Sequence, residues 1–136
     1  TKFQPVFVGD VAEAIAKAVD GQARSGTTYE LGGPEVKSFR ERMELTLQEI
    51  GRQRTLLPLP FAVARLQAFF MEFMPKPMLT RDQVTMLERD NVVSAEAIRE
   101  QRTLEGLGIA PTAMRAILPS YLWRYRKAGQ FTKIAT

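Results

Sequence analysis

The first dozen residues constrain the fold more than any other part of the chain. Residues 3–8, Phe-Gln-Pro-Val-Phe-Val, are typical of a β-strand, and Asp10 follows as the expected N-cap of a helix. A strand needs neighbouring strands to pair with, and too few residues precede this one to supply them. We therefore expect residues 1–136 to form one domain, the C-terminal part of a larger α/β protein whose chemistry lies mostly outside the chain.

Composition excludes several kinds of site. The 136 residues include no cysteine and no histidine. Disulfides, thiolate nucleophiles and histidine-dependent bases are therefore excluded. No set of Asp and Glu residues has the spacing of a calcium loop. We expect neither a metal site nor a catalytic residue here.

Local patterns predict an α/β fragment of short strands with a predominantly helical C-terminal lobe. The first helix should bury one apolar face, made of Val11, Ala14, Ile15, Ala18 and Val19. Residues 28–31 predict a short strand that Gly32-Gly33-Pro34 ends. Ser38 and Glu41 form a capping box, which opens a second helix to about Ile50.

Residues 61–74 predict the most apolar helix. About 14 residues cannot cross a bilayer, which needs roughly 20, so the helix is not expected to be transmembrane. Its apolar arc is nevertheless wider than one core face requires. We therefore expect Phe69, Phe70 and Phe73 to form a partner interface. Thr80 and Gln83 then form a second capping box, which opens the next helix.

The last predicted helix begins near Pro111 and carries an apolar stripe that includes Tyr121 and Tyr125, both expected in the core. Pro119 should kink or divide it. No acidic residue follows Glu105, so the C-terminal end is basic. The helix macrodipole favours cations at a helix C-terminus, which accounts for these basic residues without a nucleic-acid partner. We therefore expect no binding of nucleic acid.

The motifs of nucleotide-binding enzymes are absent from the chain. It contains no G-x-G-x-x-G or G-x-x-x-x-G-K-[ST] loop for phosphates, and no tyrosine is followed four positions later by a lysine. Such a pair places an ammonium group beside the phenol and lowers its pKa.

Two segments, residues 3–12 and 28–35, resemble the C-terminal part of extended and atypical short-chain dehydrogenase/reductases. More narrowly, four others are similar to bacterial homologues of the nucleotide-binding accessory subunit of respiratory complex I: residues 57–62, 79–84, 87–93 and 117–122. The resemblance implies an N-terminal Rossmann domain that binds NAD(P) in the full-length protein, and a structural rather than redox role. This fragment alone is not expected to bind the cofactor.

The resemblance also assigns roles to individual residues. Gln4, Pro5, Val6 and Phe7 match a segment that borders the cofactor and substrate cleft in relatives, which makes them candidate cleft contacts. Asp10 matches the family's aspartate and keeps its predicted role as a cap.

Three hypotheses for function remain open. The first is a non-catalytic lobe associated with respiratory NADH:quinone oxidoreductase, cytoplasmic and peripheral at the inner face of the membrane. The second is the substrate lobe of a nucleotide-sugar epimerase, dehydratase or reductase. The third is a membrane-surface module, which the poorly basic polar face of residues 61–74 disfavours.

Overall fold

The chain folds into short helices beside a very small sheet. The computed structural model describes residues 1–74, 79–127 and 129–131. The strands are β1 (Lys2–Phe3) and β2 (Lys37–Ser38). The helices are α1 (Val8–Val19), α2 (Phe39–Glu49), α3 (Phe61–Met71), α4 (Arg81–Leu87), α5 (Ala95–Arg99) and α6 (Met114–Leu122), with 3₁₀ turns at Glu105–Leu107, Trp123–Tyr125 and Gly129–Phe131. The described residues thus form a mostly helical α/β fold with a two-stranded sheet.

The strand β1 has a neighbour on each side. It pairs antiparallel with β2, Lys2 opposite Ser38, and Phe3 forms a parallel bridge to Asn91. The Asn91 N–H donates to the Lys2 carbonyl at 2.8 Å, and the Gln4 N–H donates to the Asn91 carbonyl at 3.0 Å.

Two strand predictions are wrong. The first predicted strand ends at Phe3, because Pro5 has no N–H for a ladder and α1 already begins at Val8. Residues 28–31 are irregular rather than a strand. Their backbone is held instead by a hydrogen bond from the Glu30 N–H to the Arg102 carbonyl, at 2.9 Å.

The predicted capping role of Asp10 is also wrong. The helix α1 starts two residues earlier than the sequence indicates, with Phe7 at the N-cap and no side-chain capping bond. Asp10 lies in the first helical turn and is buried. Its carboxylate binds Thr112 instead of the backbone of α1.

Both predicted capping boxes are present. The Ser38 hydroxyl accepts from the Glu41 N–H at 3.2 Å, while the Glu41 carboxylate accepts from the Ser38 N–H at 2.7 Å. Thr80 and Gln83 repeat the arrangement at the start of α4, at 3.3 and 3.0 Å. Each box satisfies two donors that a helix start leaves without partners.

Two small apolar clusters form the core of the described residues. One joins α1 to the segment before α6 and consists of Ala14, Leu104 and Ile109, with Val6, Leu31 and Leu107 around them. The other lies between α3 and α4 and consists of Ala64, Ala68 and Val84, with Leu79 beside them. The first joins residues far apart in sequence, whereas the second is local.

Several predicted core residues are exposed. On α1 only Ala14 of the predicted face is buried, while Ile15 and Val19 are open to solvent. Tyr121 and Tyr125 are also more than half exposed. The chain changes to a 3₁₀ turn after Leu122, so Tyr125 no longer follows the 3.6-residue period of the stripe.

The helices α2 and α6 contact each other, and Arg126, after α6, adds polar bonds to the end of α2. The Arg126 guanidinium donates to the carbonyl oxygen of Glu49, at 3.1 Å, and also pairs with the Glu49 carboxylate. Glu49 is the last residue of α2. Pro119 lies inside α6 and does not divide it.

Candidate functional site

The Gln4 side chain joins three separate segments. Its Nε2 donates to the Gly33 carbonyl at 2.8 Å, and its Oε1 accepts from the Val93 N–H at 2.9 Å. Together with the backbone bond from Gln4 to Asn91, these contacts fix residue 4 against both neighbouring loops. The amide is therefore engaged with protein at both of its polar atoms.

Two glycines allow this close approach. A Cβ on Gly32 would lie 2.5 Å from Val93 Cγ2 and 2.6 Å from Gln4 Cδ. A Cβ on Gly33 would overlap the Pro5 carbonyl oxygen. The Gly-Gly pair that the sequence indicates as a turn is therefore also a packing surface for the segment that starts at Gln4.

The four predicted cleft residues separate into different environments. Gln4 lines a pocket of about 410 Å³. Val6 packs against the Ala14–Leu104–Ile109 cluster, and the Phe7 ring covers Gly9 at the start of α1. Pro5 contacts Gly33 through its carbonyl. Of the four, only Gln4 is among the described lining residues of this pocket.

The pocket beside Gln4 is partly polar. Its other described lining residues are Gly32, Val93, Ile98, Gln101, Thr103, Glu105 and Gly106. They provide an amide, a hydroxyl and a carboxylate, but no Lys or Arg. The Glu105 carboxylate would repel a pyrophosphate and no cation among these residues offsets it, so they do not suit the phosphates of NAD(P).

Glu30 holds the segment next to this pocket. Its carboxylate accepts from the Ser94 N–H at 2.7 Å and from the Ser94 hydroxyl at 2.9 Å. The backbone hydrogen bond from Ser94 is the main reason that the pKa of Glu30 lies below its ordinary value. The same hydroxyl accepts from the Ala97 N–H and caps α5.

The helix α3 has an inverted distribution of side-chain sizes. Its buried residues are Ala64 and Ala68, which pack with Val84 of α4, whereas Phe69 and Phe70, and Phe73 just after the helix, are exposed by 42%, 63% and 77%. Phe69 makes edge contacts with Phe70 and Phe73, with ring centroids 5.5 and 5.3 Å apart. We call these three residues the aromatic patch.

Two described arginines near the aromatic patch are paired with glutamates. Arg81 donates to Glu72 at 2.9 Å and lies over the Phe69 ring, 5.6 Å from its centroid. Arg65 pairs with Glu88, the C-cap residue of α4. The hydrogen bond from the Arg81 N–H is the main cause of a lowered pKa at Glu72, which keeps this carboxylate ionised.

A second, apolar pocket of about 590 Å³ separates α2 from the α3–α4 pair. Its lining includes Phe39 and Met43 of α2 and, from the connection to α3, Leu56, Leu57, Leu59 and Phe61. The residues between α2 and α3 thus contribute apolar side chains to the lining of this pocket.

No cluster of three or more acidic side chains suited to a metal ion occurs within residues 1–74, 79–127 and 129–131. In the same described residues, no helix is both long and apolar enough to cross a membrane.

Sequence reasoning missed two polar contacts, Asp10 with Thr112 and Glu30 with Ser94, and also the left-handed backbone conformation of Gln101 at the pocket rim. No local signal identifies the first two, because each pair is more than 60 positions apart. The sequence also gives no local signal for the conformation of Gln101, because glycine or asparagine is the usual residue with a left-handed backbone after a helix.

Comparison with known proteins gives two long matches. No protein-family model matches the chain. The chain is 36% identical over 95% of its length to the mitochondrial NADH dehydrogenase [ubiquinone] 1 alpha subcomplex subunit 9 of Arabidopsis thaliana. It is 26% identical over 96% of its length to the mitochondrial NADH-ubiquinone oxidoreductase 40 kDa subunit of Neurospora crassa.

The matched region is only part of each relative. The chain spans 34% of the length of both proteins. A shorter match, 35% identical over 48% of the chain, is to a protein named Cyclin-B1-2 from Oryza sativa subsp. japonica, of which it covers 17%. Along nearly its whole length, then, this chain is similar to about one third of a subunit of mitochondrial NADH dehydrogenase.

Proposed function

We propose that the chain is the C-terminal lobe of an NAD(P)-binding, short-chain dehydrogenase-like protein that serves as a non-catalytic structural subunit of respiratory NADH:quinone oxidoreductase. The observation that carries this proposal is the 36% identity to the plant subunit over 95% of the chain. The fungal match covers the same extent and points to the same assembly.

The aromatic patch supports docking to another protein. Large side chains on the outside of α3 and alanines on its inside leave apolar surface that the described residues do not cover. Arg65 and Arg81 are paired with Glu88 and Glu72, so these two arginines offer little net positive charge to anionic lipid. An apolar protein surface is the better match, and we assign Phe69, Phe70 and Phe73 to it.

The cofactor belongs to the rest of the protein in this proposal. The polar pocket beside Gln4 has no described cation for a pyrophosphate, so the N-terminal Rossmann domain would hold NAD(P). The segment from Gln4 to Phe7 would border that domain, with Gln4 fixing its position through Gly33 and Val93. The whole would lie peripherally at the membrane, on the cytoplasmic face in a bacterium.

Co-purification tests the proposal. The intact protein, tagged at its C-terminus, is isolated from membranes solubilised in a mild detergent and separated by native electrophoresis. We expect the tag to migrate with NADH:quinone oxidoreductase activity. A protein that runs alone under conditions that keep the complex whole would refute the assignment.

A further inference from the structure

The rim of the 410 Å³ pocket carries a residue in an unfavourable backbone conformation. Gln101 has φ of +55°, the only positive φ among the described non-glycine residues. It follows the C-cap of α5, a position where helices commonly place glycine. Non-glycine residues held in such strained conformations cluster at active sites and ligand-binding sites.

The neighbouring backbone holds Gln101 in place. Its N–H donates to the Ile98 carbonyl at 3.1 Å, and the Arg102 N–H donates to the Ala97 carbonyl at 2.8 Å. Gly106 packs directly on the Gln101 carbonyl, since a Cβ there would overlap it. The backbone is thus fixed, while the Gln101 side chain is exposed at the rim.

The one charged side chain in the described lining of this pocket is the Glu105 carboxylate, which favours a cationic ligand that donates hydrogen bonds. Glu105 offers a carboxylate, Gln101 an amide and Thr103 a buried hydroxyl, and the described lining contains no Lys or Arg. An anionic ligand would meet the Glu105 carboxylate without a compensating cation. Val93 and Ile98 provide an aliphatic wall beside these polar groups. The volume falls within the usual range for small-ligand sites.

We propose that this pocket binds an ammonium or guanidinium group on an aliphatic stem, with Glu105 and Gln101 as hydrogen-bond acceptors and Val93 and Ile98 against the methylene groups. The ligand is either a free polyamine or a basic side chain of another protein. The proposal does not depend on association with the respiratory complex, so its test can fail independently of the proposed function.

Titration of the intact protein by calorimetry tests the site. Spermidine and a short lysine- and arginine-containing peptide are compared with sorbitol and inorganic phosphate. Saturable binding of spermidine or of the peptide supports the proposal, and the tighter of the two identifies the source. Binding of neither, or equal binding of sorbitol, overturns it.

Variants connect any binding to these residues. Glu105→Gln should weaken binding about tenfold, as expected for a charge-assisted hydrogen bond. The matched control Glu96→Gln, which neutralises an exposed carboxylate on α5 outside the pocket, should bind as the parent does. Equal effects of the two changes would indicate general charge attraction and overturn the assignment.

Gln101→Gly separates binding from folding. Glycine tolerates positive φ, so this variant should unfold at a higher temperature than the parent. It should nevertheless bind spermidine or the peptide several-fold more weakly, because the amide is gone. Unchanged affinity in this more stable variant would remove Gln101 from the site.

Discussion

The carboxylate of Asp10 accepts two hydrogen bonds from Thr112, one from its N–H and one from its hydroxyl, each 2.7 Å long. The two residues are 102 positions apart in the chain. Asp10 thereby ties the first turn of α1 to the segment that leads into α6, beside the cluster of Ala14, Leu104 and Ile109.

Replacement of Asp10 should destabilise the fold. Asp10→Ala removes two hydrogen bonds to a charged group and leaves the Thr112 donors unsatisfied, so we expect the free energy of unfolding to fall by roughly 2–4 kcal/mol. Urea denaturation measures this change. Glu13→Ala, on an exposed side of α1, should change stability by less than about 0.5 kcal/mol. Similar small effects at both positions would contradict the role of Asp10.

Glu30 should make the stability of the fold depend on pH in the acidic range. Its pKa is lower in the folded state than in the unfolded chain, chiefly through the Ser94 N–H. The contribution of Glu30 to the free energy of unfolding is therefore complete above the unfolded-state pKa, and it is lost as the pH falls through the folded-state pKa. Glu30→Gln should be less stable at neutral pH and lose less stability on acidification. Thermal unfolding between pH 7 and pH 3 measures the difference; parallel pH curves for parent and variant would count against it.

Gly33 should not tolerate a methyl group. Gly33→Ala places a Cβ against the Pro5 carbonyl oxygen and should lower the free energy of unfolding by about 3 kcal/mol, as overpacking does. Gly26→Ala is the matched control, since a Cβ there meets open space and only the positive φ of 66° is unfavourable. We expect about 1 kcal/mol for the control. Denaturation of the two variants side by side compares them, and a milder effect at Gly33 would be inconsistent with this packing.

Substitution of the aromatic patch should alter association rather than stability. Phe70 and Phe73 are largely exposed, so the double change to serine should leave the thermal midpoint nearly unchanged. Recovery of the respiratory complex in the tagged pull-down should fall at least about tenfold. Val84→Ala, at a residue only 1% exposed, should show the reverse pattern: lower stability, and recovery in proportion to folded protein. Full recovery with the serine variant would exclude the patch as the interface.

The sequence predicted the start of a helix correctly where both residues of the capping box lie close together in the chain. Ser38 with Glu41 and Thr80 with Gln83 lie three positions apart, so the pattern contains the whole interaction. Asp10 has the right residue type for a cap, but its partner Thr112 is distant, and the helix begins ahead of it. The residue type alone cannot distinguish a helix cap from an aspartate that binds a residue distant in sequence.

The candidate site was less predictable than the helices. The resemblance indicated Gln4, yet the use of its amide depends on Gly33 and Val93, which only the fold brings together. The exposed aromatic side chains of α3 were foreseeable, because the helix is apolar around more of its circumference than a single core face needs. The alanine contact with α4 could not be read from periodicity.

The hydrogen bond from Arg126 to the Glu49 carbonyl affects the stability of the C-terminal end of α2. The last turn of α2 contains no basic residue, so the cation that compensates its terminal carbonyls comes from 77 positions downstream. A protease cut just after Leu122 would release that guanidinium. The first part to fray would then be the end of α2, rather than the helix next to the cut.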